Sequence, residues 1–123
     1  MANTVQPHTA NAIFNNRLKG LGTEPKWIAW GTGAGTHTRA SSELFTEASE
    51  DRVEGTTTVL TTTYTDDTFQ ISGQMTADGS KSITNAGVFD AADAGKPFVL
   101  SDFTAIPVVA TNQIAFSWKV QGL

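Results

Sequence analysis

From Ile114 to Gln121 the side chains alternate without a break. Ile114, Phe116, Trp118 and Val120 take one set of positions, and Ala115, Ser117, Lys119 and Gln121 take the other. A period of two belongs to a strand with one buried and one wet face. A helix, with its period of 3.6, would smear that pattern around its surface. The same alternation runs through Phe69, Ile71, Gly73, Met75 and Ala77. Val53 to Tyr64 is rich in threonine, whose branched Cβ suits a pleated, half-buried surface. Asp66-Asp67 and Asp78-Gly79 punctuate these runs as turns. Further strands are expected at Ile83–Phe89 and, opened by Pro97, at Phe98–Phe103. Pro107 cannot donate to a central ladder, so the segment around it is an edge or a loop. Several short strands separated by turns predict a mostly β chain: an antiparallel β-sandwich or a jelly-roll-like barrel.

The first fifth of the chain differs. Residues 1–8 are polar, contain Pro7, and read as a flexible N-terminal arm, leaving 9–123 as a single sandwich domain. Thr9 or Asn11 can cap one short N-terminal helix, on which Ile13, Phe14 and Leu18 share a face and which Gly20 ends. Trp27 to Trp30 reads as a short buried strand. Gly31-Thr32-Gly33-Ala34-Gly35 leaves it as a loop, and residues 36–50 read as a long surface loop with room for one helical turn.

A length of 123 residues, 39% of them hydrophobic, fits one domain with one core. Eight basic against twelve acidic residues, a formal charge of -4, argue against nucleic-acid binding through phosphate neutralisation. The absence of cysteine excludes disulfides and thiolate metal sites, and fits assembly in a cytoplasm. The first residues lack the pattern of a secretory signal, and no apolar run approaches the ~20 residues of a membrane span.

Reactive constellations are weak. His8 and His37 lie far apart in polar segments and are expected to be solvated. Gly31 to Gly35 lacks the third glycine of a dinucleotide fingerprint, where Thr36 stands, and lacks the Lys-Ser/Thr pair of a P-loop. Asp66, Asp67, Asp78, Asp90 and Asp93 fall where turns need aspartate. Ser41, His37 and Asp51 make a triad on paper only, since no serine sits in a G-x-S-x-G elbow. The aromatic residues are expected in the core, with Trp27 or Trp30 the candidate exception as a sugar platform. Glu43, Glu47, Glu50, Asp51 and Arg52 read as a solvated face. No catalytic residue, cofactor or metal ligand is assigned.

Taken together, Asn16-Arg17-Leu18-Lys19-Gly20, Gly22-Thr23-Glu24-Pro25, Trp30-Gly31-Thr32-Gly33, Ile83-Thr84-Asn85-Ala86-Gly87-Val88-Phe89-Asp90 and Phe116-Ser117-Trp118-Lys119-Val120-Gln121 resemble a family of small virion proteins of tailed bacteriophages. The resemblance runs almost end to end. It implies a structural role and no reaction. The expected role is capsid decoration, or cement: a homotrimer on the major capsid protein, bridging capsomers in a virion assembled in the bacterial cytoplasm. The alternatives are a tail or tail-fibre component and a carbohydrate-binding module on the virion surface. The contacts are expected from residues 1–20 and the loop 31–52. Ile13, Phe14, Arg17, Leu18, Trp30, His37, Glu43 and Arg52 are the candidate interface residues.

Overall fold

The computed structural model describes residues 9–19 and 24–121; the arm expected at 1–8 lies outside the described residues. Within them the chain is mostly β, as its alternation predicts. A helix α1 (Thr9–Leu18) precedes eight strands: β1 (Trp27–Thr32), β2 (Thr46–Glu47), β3 (Val53–Glu54), β4 (Thr56–Leu60), β5 (Thr68–Thr76), β6 (Lys81–Phe89), β7 (Pro97–Val108) and β8 (Gln113–Gln121). They form two antiparallel sheets. One runs β2-β1-β6-β7, with β3 also paired to β1, and the other runs β4-β5-β8.

The two sheets treat their outer faces differently, and the sequence shows why. On β8 every second residue is exposed, as are Thr56, Thr58, Gln74 and Thr76 on β4 and β5. This outer face is polar and bridged by side chains, Gln70 to Ser117 and Gln74 to Gln113. The first sheet is covered around β1 and the end of β6. Ile28 and Trp30 of β1 point into the space between the sheets, where they meet Phe69, Ile71 and Met75 of β5. Ala29 points the other way and is still buried, in a second cluster with Phe89 and Leu44. Leu44 belongs to the segment expected as a surface loop. That segment instead folds back across the outer face, contributes β2, and contains no helical turn.

A bulge shifts the phase of β6, whose burial is unbroken only from Asn85 to Phe89. Ile83 and, three residues on, Ala86 both face the main core, which strict alternation forbids. The pairing with β7 slips between Ile83↔Ile106 and Asn85↔Asp102, resetting the phase of the strand. β7 is an edge strand that runs through Pro107, one of the two placements its proline allows.

Two connections are hairpins, the loop 61–67 between β4 and β5 and the loop 90–96 between β6 and β7. The turn expected at Asp78-Gly79 is not one: β5 and β6 belong to different sheets, so the chain changes sheet there. It changes back at 109–112, between β7 and β8. The two corners are bonded together, Ala77 N to Asn112 O at 2.8 Å and Thr111 N to Ala77 O at 2.9 Å. The sandwich thus has a hairpin end and a corner end.

Candidate interaction surface

Helix α1 rests on the hairpin end. The loop 61–67 closes around Asp67, whose carboxylate accepts from six donor groups. These are the backbone N–H of Thr62, Thr63 and Tyr64 at 3.0–3.1 Å, the hydroxyls of Thr62 and Thr68, and the Gln121 amide. Three successive N–H groups turned inward make an anion nest filled by the protein's own carboxylate. Burial pushes the Asp67 carboxyl upward, but the bonds from Tyr64, Thr62 and Thr63 outweigh it and hold the group well below the usual carboxylate range. Asp66, at φ +52°, is left facing the helix. Asn15 Nδ2 donates to Asp66 O at 2.7 Å, and Asn16 Nδ2 to Asp66 Oδ2 at 2.9 Å.

This polar seat fixes which side of the helix faces out. Asn15 is buried and Leu18 packs on the main core. Ile13 and Phe14 therefore turn to solvent, 63% and 57% exposed, although the shared apolar face suggested that all three residues act together. Arg17 is exposed beside them, and Tyr64, 45% exposed, lies near Thr9 and Ala12.

Three other candidates are not surface residues. Trp30 is 1% exposed, because its ring fills the core and only its Nε1–H reaches a polar partner, Glu50, at 3.1 Å. It is no sugar platform, and Trp27 is half-buried against the second cluster. Arg52 is spent inside the fold. Its Nε and Nη2 grip Glu47 at 3.0 and 2.9 Å. Its Nη1 donates to the carbonyls of Ala91 and Ala94, and its guanidinium lies 3.9 Å from the centre of the Phe89 ring. His37, expected to be solvated, stacks on Phe45 at 4.1 Å and places Nε2 3.6 Å from Asp102. His37 and Arg52 thus pin the segment 33–52 to the sheet. Glu43 is exposed, and His8 lies outside the described residues.

Glu50 adds a further pin. It accepts from Lys81 Nζ at 2.5 Å and from Asp78 N at 3.0 Å. Burial raises the Glu50 carboxyl, and the bonds from Lys81, Asp78 and Trp30 more than offset that, leaving it at about 2. A residue pair 31 positions apart gives no signal in the sequence. The Asp67 nest was closer to legible, as an aspartate closing a run of hydroxyl residues between two strands.

The paper triad does not assemble: the carboxylate beside His37 is Asp102, and Ser41 Oγ accepts from the Thr38 N–H within its own turn. Among the described residues, no three His, Cys, Asp or Glu side chains could hold a metal ion, and no helix is long and apolar enough to cross a membrane. Comparison with protein-family models, with curated proteins and with solved structures finds no match to this chain.

Proposed function

We propose that this chain is a structural binding module of a tailed-bacteriophage particle, working by contact and not by catalysis. Its most economical place is on the head, as a decoration protein seated on the major capsid protein in several self-associated copies. The observation that carries the reading is the outward turn of Ile13 and Phe14 on a helix whose inner side is fixed by the buried Asn15 amide and by Leu18. A domain that buries its helix only for its own stability turns its large apolar residues inward. Adjacent exposed residues of this size on a rigid base suit a partner's surface. The resemblance of the sequence to small virion proteins supplies the kind of particle.

Quantitative mass spectrometry of purified virions tests the reading. A copy number comparable to the major capsid protein is the expected result. Far fewer copies would move the protein to the tail or fibre, and its absence would end the virion reading.

A further inference from the structure

Among the described residues, the exposed large apolar side chains fall into two groups. Ile13, Phe14 and Tyr64 lie at the hairpin end, and Ile106 and Val109 lie at the corner end. Strand β5 separates the ends, since Thr68 pairs with Gln121 at one and Thr76 with Gln113 at the other. Eight residue steps of strand amount to roughly 27 Å. One copy of the chain therefore cannot bring the two groups together.

The groups differ in the charge around them. Helix α1 carries no acidic residue; its one charged residue is Arg17, followed by Lys19, and neither has an ion pair among the described residues. At the corner end Asp78 follows Ala77, whose backbone is bonded to both Thr111 and Asn112. Asp78 and Glu50 share the single ammonium of Lys81, so the three groups carry one net negative charge at this end.

The corner is also rigid at a cost. Thr111 sits at φ +73°, a left-handed conformation that a branched side chain seldom adopts. The turn keeps it there with Asn112 N bonded to Val109 O and Asn112 Oδ1 accepting from Val109 N. The consequence is a fixed tip that presents Val109, 54% exposed, and Ala110 to solvent.

We propose that the partner of the α1 face is the corner end of a second copy of this chain. Ile13 and Phe14 of one copy pack on Val109 and Ile106 of the next, with Arg17 brought toward Asp78. Such a contact is head-to-tail. It leaves a free helix and a free corner on every pair, so it closes into a ring or continues as a filament according to the rotation between copies. A ring of three is the form that a homotrimer would take. The contact deepens the self-association in the proposed function, yet it belongs to the isolated chain and does not require a capsid.

The experiment is sedimentation analysis of the full chain over a range of concentrations, with three blocked variants. Ile13→Ser/Phe14→Ser removes the helix face, and Val109→Ser removes the corner. Ala110→Arg, at the same tip, blocks the corner without deleting a packed atom. The wild type should associate, more weakly in high salt as the Debye length falls from ~10 to ~3 Å. Each variant alone should be monomeric. An equimolar mixture of helix-blocked and corner-blocked chains should form 1:1 dimers and stop there, because such a pair keeps one intact contact. A monomeric wild type would overturn the proposal. So would self-association by the Val109→Ser or Ala110→Arg variant, which would mean that helices pair with helices. If the contact fails while virion copy number is high, only the self-contact is lost and the virion reading stands.

Discussion

Two segments lie against the sandwich, and they are attached in opposite ways. The segment 33–52 turns its apolar residue Leu44 inward and meets solvent with Glu43, and charged side chains, Arg52 and Glu50, hold it down. Helix α1 turns the Asn15 amide inward, ties the exposed Asn16 to the same aspartate, and meets solvent with Ile13 and Phe14. The first arrangement seals the outer face of a sheet and belongs to the folding of the domain. The second fixes an orientation while leaving apolar surface unused. Substitutions that cut each attachment should therefore separate stability from association.

The largest effect is expected at the helix seat. Asp67→Asn puts an amide N–H where the nest supplies only donors, leaving part-buried donor groups of Thr62, Thr63, Tyr64 or Gln121 without their carboxylate acceptor. A drop in Tm of roughly 15 °C is expected in thermal melts. A shift of only a degree or two would mean that the loop holds its shape without the carboxylate.

Arg52 tests the other attachment. Arg52→Ala strands Glu47 and two backbone carbonyls and removes the contact with Phe89, a loss of about 2 kcal/mol. Arg52→Lys should recover only a small part, because an ammonium cannot reproduce the two-pronged grip on Glu47 while reaching the carbonyls of the 90–96 loop. Denaturant titration of the three proteins checks the order.

Acid should loosen the same segment. The Glu50 carboxyl lies at about 2 in the folded chain against an ordinary 4.5. A depressed folded value means that the carboxylate contributes its full stability above pH 4.5 and loses it as pH falls toward 2. Glu50→Gln should therefore melt below the wild type at neutral pH, with the gap closing across that window. A gap that stayed constant would show that Glu50 acts by packing and not by charge.

Much of this architecture was legible because it rests on periodicity. The alternation in 114–121 and 69–77 reports one wet face, and both segments are strands of the sheet that has one. The buried reading of Trp27–Trp30 was also sound, since a central strand covered on both faces reads as continuous apolar residues. What failed was whatever depended on partners far away in sequence. The segment 36–50 looks polar, and only the Phe89 and Ala29 face across from Leu44 makes it a cover. Asp78-Gly79 has the composition of a hairpin turn, but the pairing of β6 with β1 and β7 makes it a corner. Ile13, Phe14 and Leu18 share a helical face on paper, but Asn15 and Asn16 find their partner, Asp66, on a loop 51 and 50 residues away. A helical wheel cannot show such a bond.

The smallest effect on stability should come from the residues with the largest effect on association. Ile13→Ser/Phe14→Ser removes two exposed side chains and leaves Asn15, Asn16 and Leu18 in place, so unfolding free energy should change by less than ~0.5 kcal/mol. Serine and the residues it replaces have comparable helix propensities, which keeps the substitution from acting through the backbone. Circular dichroism melts of the dilute variant, where no association contributes, provide the comparison. A loss well above that figure would mean that Ile13 and Phe14 pack within their own chain, and the contrast between cover and presented helix would collapse. An unchanged melt combined with lost association would place the two residues at a contact between molecules and leave the helix seat intact beneath them.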